Sequence, residues 1–96
     1  MKKTNRGLEQ RPLPAKDCVF KQNPRGGGLL VNLKTGNYYT LNPSGQRVWK
    51  WIDGVRNADG IAGGLSSAYG VPSSRARRDV KSFLGRLRRT GLIRLA

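Results

Sequence analysis

Leu29-Leu30-Val31-Asn32-Leu33-Lys34-Thr35-Gly36-Asn37-Tyr38-Tyr39-Thr40-Leu41-Asn42 is the stretch that decides the fold. Leu29, Val31 and Leu33 alternate with Leu30 and Asn32, the period of two that marks a strand. Lys34-Thr35-Gly36-Asn37 interrupts the pattern, and Gly36 supplies the positive φ that a tight hairpin needs. Tyr38-Tyr39-Thr40-Leu41 then resumes it. At Asn42 the period changes, because an Asx N-cap followed by Pro43 at the first helical position starts a helix.

Upstream, Cys18-Val19-Phe20 is a further short apolar run, and Asn23-Pro24-Arg25-Gly26-Gly27-Gly28 is turn chemistry. Three antiparallel strands are therefore expected before Asn42. Residues 1–16 hold five basic residues, two prolines and almost no large apolar group. Such a composition cannot offset the cost of ordering, so a flexible basic arm is expected there, with the domain running over 17–96.

Downstream, Val48, Trp49 and Ile52 make the apolar stripe of a first helix, with Gly54 as its C-cap. Asn57 or Asp59 opens a second helix carrying Ile61, Leu65 and Ala68 on one face. Gly60, Gly63 and Gly64 weaken it by up to about 1 kcal/mol each, so it must lean on neighbours. Pro72-Ser73-Ser74 begins a third helix, in which Ala76, Val80, Phe83, Leu84 and Leu87 recur at helical spacing before Gly91 stops it. Leu92, Ile93 and Leu95 form a terminal strand or extended tail. The fold class is α+β with segregated elements: a three-stranded antiparallel sheet followed by three helices. The expected core is Val31, Leu33, Val48, Trp49, Ile52, Ile61, Leu65, Val80, Phe83, Leu84 and Leu87.

Ninety-six residues with 36% hydrophobic content make one small domain, in which a deep catalytic cleft is hard to build. With no His, imidazole catalysis and His-ligated metals are excluded. The single Cys18 excludes an internal disulfide framework and fits a reducing compartment. No apolar run approaches the roughly 18 residues of a membrane span, so the chain reads as cytoplasmic. Lys and Arg total 19 against five acids, a net charge of +14, which favours polyanions, acidic peptides or acidic surfaces.

Several features have ordinary structural readings. Gly26-Gly27-Gly28 precedes a strand rather than a helix and lacks the Lys-Ser/Thr pair of a phosphate loop, so it reads as a flexible inter-strand turn. Asp53 and Asp59 flank a turn and serve as caps rather than paired catalytic acids. Trp49 belongs to the core, while Trp51 points elsewhere. Two features ask for more. Residues 75–94 carry eight bases against Asp79 alone, a density that solubility does not require. Tyr38–Leu41 ends the meander, and a final strand has one unpaired edge, a template for a partner's strand.

The Leu29–Asn42 stretch continues with Gly45, Val48-Trp49, Ile52-Asp53-Gly54, Ile61, Leu65, Tyr69-Gly70-Val71, Asp79-Val80, Phe83-Leu84, Leu87 and Gly91-Leu92-Ile93. This ordered series resembles the PqqD-like family, the precursor-recognition elements of ribosomally made, post-translationally modified peptides, stand-alone lasso-peptide versions included. The resemblance implies a winged-helix-like domain with no catalytic activity and no cofactor. It implies a binding module that takes up the leader of a precursor peptide as an added strand. Such a module presents the leader to a modifying enzyme, either a radical S-adenosylmethionine protein or a leader peptidase acting with a cyclase. The expected peptide-binding residues are Asn37, Tyr38, Tyr39, Thr40 and Leu41 on the third strand. Opposite them stand Arg78, Lys81, Ser82, Gly85, Arg86 and Arg89, grouped on one helix flank by i+3 and i+4 spacing. Gly85 is costly in mid-helix unless something approaches its backbone closely. The alternative partner is nucleic acid, read by a basic recognition helix.

Overall fold

The change of period at Asn42 divides the molecule as the sequence predicts. The computed structural model describes residues 10–95. Its strands are β1 (Pro12–Pro14), β2 (Cys18–Gln22), β3 (Gly28–Asn32) and β4 (Tyr38–Leu41); helices α1 (Pro43–Lys50), α2 (Ala58–Tyr69) and α3 (Ser73–Arg89) follow, and β5 (Ile93–Leu95) closes the chain. β2, β3 and β4 form an antiparallel meander in that order, with Leu30 opposite both Phe20 and Tyr39.

Asn32 builds the β3–β4 turn. Its side-chain oxygen accepts from the Lys34 and Thr35 amides at 2.9 and 3.2 Å, and Gly36 adopts the expected positive φ of 81°. The same side chain donates to the Gly91 carbonyl at 2.8 Å, tying the turn to the end of α3. This polar residue therefore faces inward, and the phase expected for β3 is corrected. Leu30 is fully buried and Asn32 nearly so, while Val31 is half-buried and Leu33, past the strand end, is 68% exposed. Four apolar residues in a run of five left the phase of the alternation open, and Asn32 passed for an outward residue. Burying Leu30 contributes about 2 kcal/mol.

The Gly26-Gly27-Gly28 turn is required by close approach rather than by flexibility. Gly27 has φ 75°, and a Cβ there would collide with the Leu41 carbonyl; a Cβ on Gly28 would collide with the Phe20 ring.

The first two helices start on the expected signals. Asn42 caps α1 by accepting from the Gly45 amide at 2.7 Å, and Asn57 caps α2 through the Gly60 amide at 2.9 Å. Trp51, rather than Gly54, is the C-cap of α1. Its indole lies against Gly64, where a Cβ would come within 3.3 Å of the ring, so that α2 glycine makes room for it. Val48, Ile52, Ile61, Ala76, Val80 and Leu87 meet Leu30 and Leu41 in the core. Trp49, Leu65, Phe83 and Leu84, expected inside, are half-buried and pack against it.

The expected arm is corrected at its C-terminal end. Residues 1–9 lie outside the described residues, but Pro12–Pro14 pairs antiparallel with Ile93–Leu95, and Pro12 is fully buried. The Pro12 carbonyl accepts from Gly54 and the Leu92 carbonyl from Ala15, both near 3.0 Å. Prolines are admissible on such an edge strand. The apolar tail at Leu92–Leu95 needs a partner, and the composition of residues 1–16 concealed it.

Candidate peptide groove

The register of the meander determines which backbone groups β4 leaves free. The Asn32 amide donates to the Asn37 carbonyl at 2.8 Å, which makes 32 and 37 a hydrogen-bonded pair. Such pairs recur every second residue along an antiparallel ladder, so Tyr39 and Leu41 turn their backbone groups to β3. Tyr38 and Thr40 turn theirs outward, along the edge of the sheet that no described strand covers. Side chains alternate in the other sense. Tyr38 is 68% exposed on the outer face of the sheet, whereas Tyr39 is half-buried and Leu41 buried on the helix side.

Beside this edge runs a groove of about 590 Å³ between β4 and α3. Tyr39, Thr40 and Leu41 form one wall. Asp79, Val80, Phe83 and Arg86, on successive turns of α3, form the other. Val48 from α1, Leu65 from α2 and Val71 from the loop after it supply an apolar floor. The Tyr39 and Phe83 rings meet edge to face at 5.9 Å and 69°. Above them Arg86 Nη1 donates to the Tyr39 hydroxyl at 3.4 Å. Tyr69, beneath the Arg47 guanidinium at 5.6 Å, rims the far side.

The sequence-derived site residues divide along this geometry. Tyr39, Thr40, Leu41 and Arg86 line the groove, and Tyr38 is on its edge strand. Asn37 precedes β4 and donates from Nδ2 to the Thr90 carbonyl at 3.4 Å. Arg78, Lys81, Ser82, Gly85 and Arg89 do not line it; the four side chains are exposed on the outer side of α3, with Gly85 half-buried among them. Positions 79, 80, 83 and 86 share the groove flank, and the apolar residues among them had been assigned wholly to the core. The position of Phe83, on the border between the apolar stripe and the charged flank, was the available signal. Gly85 does not serve helix packing: a Cβ there would meet only the Arg89 guanidinium, at 3.6 Å.

The remaining chemistry of the chain is structural. The Val55 and Arg56 amides, with the Arg56 guanidinium at 3.0 Å, hold the Asp53 carboxyl below the usual carboxylate range, so Asp53 organises a turn. Burial pushes the Cys18 thiol up, which disfavours the reactive thiolate. Among the described residues no three His, Cys, Asp or Glu gather as metal ligands, and no helix is long and apolar enough to cross a membrane.

Comparison with known proteins places this fold. The family model for coenzyme PQQ synthesis protein D (PqqD) matches residues 27–93, from the turn before β3 to the start of β5. The chain belongs to the PqqD family. Among curated protein sequences nothing matches. Two solved structures share the PqqD-family fold seen here. TbiB1 in complex with the TbiA(beta) leader peptide superposes with a TM-score of 0.75 at 23% identity, over 84% of this chain and 93% of that one. A lasso peptide synthetase B1 complexed with the leader peptide superposes at 0.76 and 20% identity, over 88% and 98% of the two chains. The match spans every element of the groove, β4 and α3 included.

Proposed function

We propose that this PqqD-family domain is a non-catalytic recognition element for the leader of a ribosomally made precursor peptide. The leader adds as a strand to β4 and is thereby presented to a modifying enzyme or leader peptidase. The observation that carries this reading is the outward-turned backbone of Tyr38 and Thr40 beside an apolar groove. An added strand takes its main-chain hydrogen bonds from those two residues. Its alternate side chains pack beside the Tyr39–Phe83 pair onto Val48, Leu65 and Val80, which gives selectivity. Arg86, at the groove rim, suits an acidic or polar side chain and mainly enforces register. That two fold neighbours were solved with leader peptides bound supports the reading. The nucleic-acid alternative has no such support.

The test is an NMR titration of the isotope-labelled domain with the leader of a short precursor peptide encoded beside its gene. Shifts should concentrate at Tyr38–Leu41, Phe83 and Arg86. Saturable binding that leaves β4 unmoved would remove the assignment.

A further inference from the structure

The outer side of α3 is left over once the groove is assigned. Arg77, Arg78, Lys81, Arg88 and Arg89 are all exposed there, spread along about 18 Å of helix. Among the described residues none of the five has an ion pair; those seen join Arg56 to Asp53 and Arg75 to Asp79. The arrangement works against the helix that carries it. Arg77 and Lys81 are like charges four residues apart, which destabilises a helix. The first turn of α3 has no acid and Pro72 gives it no side-chain cap, yet Arg75, Arg77 and Arg78 crowd that end, where the helix dipole disfavours cations.

Gly85 is at the centre of this stripe. Lys81, Arg88 and Arg89 are its neighbours at i−4, i+3 and i+4, and Arg78 is two turns back. Only the Arg89 guanidinium would come near a Cβ at this position. Nothing among the described residues needs a glycine there, and mid-helix glycine weakens the helix. The stripe thus combines unneutralised charge with a half-buried stretch of backbone that only the Arg89 guanidinium approaches.

We infer that this face docks an acidic surface of a second protein, the one that receives the leader from the β4 groove. The inference rests on the function proposed above. Peptide and acceptor would then occupy opposite flanks of one helix, so both can be bound at once. Gly85 favours a protein over nucleic acid. Phosphates are met at the far ends of Arg side chains, whereas a gap at the helix backbone matters to a partner that packs against it.

The probes are a helical peptide rich in glutamate and alanine, and duplex DNA, each titrated by fluorescence anisotropy and NMR. The acidic peptide should shift amides around Gly85 and leave Tyr39 and Phe83 unmoved. Gly85→Leu should melt no lower than the parent yet bind the acidic peptide about tenfold more weakly, with DNA binding unchanged. Arg78→Ser with Lys81→Ser and Arg88→Ser should weaken the peptide more than Lys21→Ser with Arg25→Ser and Lys34→Ser, which remove equal charge elsewhere. Equal losses from the two triple variants, or an unchanged Gly85→Leu, would overturn the inference in favour of diffuse charge. Tighter binding of DNA at the same amides would overturn it in favour of nucleic acid. Phe83→Ala should spare the acidic peptide, so failure of the leader groove and failure of this face read out separately.

Discussion

Tyr39 and Phe83 meet edge to face between the two walls of the β4 groove, with ring centroids 5.9 Å apart, and neither ring is fully buried. Each therefore belongs partly to the core and partly to the binding wall. Phe83→Ala should cost about 2 kcal/mol, below the range for a fully buried ring, and leave a folded protein. Its thermal melt should remain cooperative while leader affinity falls at least about tenfold. An unfolded variant would mean that the ring is core alone.

Gly27 and Gly36 both have positive φ, but only Gly27 is crowded. Gly36→Ala should cost about 1 kcal/mol, the backbone penalty by itself. Gly27→Ala adds a collision with the Leu41 carbonyl and should cost at least about 2 kcal/mol. Urea unfolding of the two variants measures the difference, and equal costs would remove the close approach as its cause.

Asn32 satisfies two turn amides and the Gly91 carbonyl while almost fully buried. Asn32→Ala would orphan all three groups, at a cost of about 2–3 kcal/mol. The urea midpoint should fall with an unchanged slope. Retention of the parent midpoint would show that water replaces the side chain.

Cys18 sets a pH dependence. Its thiol pKa is raised by burial, so the folded state holds the proton more tightly than the unfolded one. The stability this contributes is complete below the ordinary thiol range and is lost as pH rises through the higher folded value. Urea midpoints should therefore decline at alkaline pH, and less so in Cys18→Ala. Alkylation of the native protein should also be slower than that of a free thiol at the same pH.

The sequence disclosed most of the architecture because its punctuation is chemically unambiguous. Asn42-Pro43, Asn57, Gly36 and Gly91 each act through a local hydrogen bond or a φ value, and each does so here. What escaped depends on contacts distant in sequence. The phase of β3 hangs on Asn32 reaching Gly91, and β1 hangs on a tail that begins beyond α3. In the site, the edge strand was legible from strand order alone. The groove face of α3 was not: Val80 and Phe83 fit a core stripe equally well, and charge drew attention to the opposite flank.

The pairing of Pro12–Pro14 with Ile93–Leu95 has a kinetic consequence, because nearly the whole described chain lies between its strands. Hairpins such as β3–β4 close a few residues, whereas this pair must wait until the helices have brought its halves together. Each doubling of a loop adds only about 0.6 kcal/mol to its closure, but a ladder of three residues returns little for it. It should zip last and open first. Substitutions in β1 should then quicken unfolding and leave the folding rate nearly unchanged, while Leu30→Ala should also slow folding. Amides of Ile93–Leu95 should exchange with solvent through a partial opening in which β4, α1 and α3 stay assembled. The ends of this domain would thus act as a clasp that can loosen without dismantling the groove.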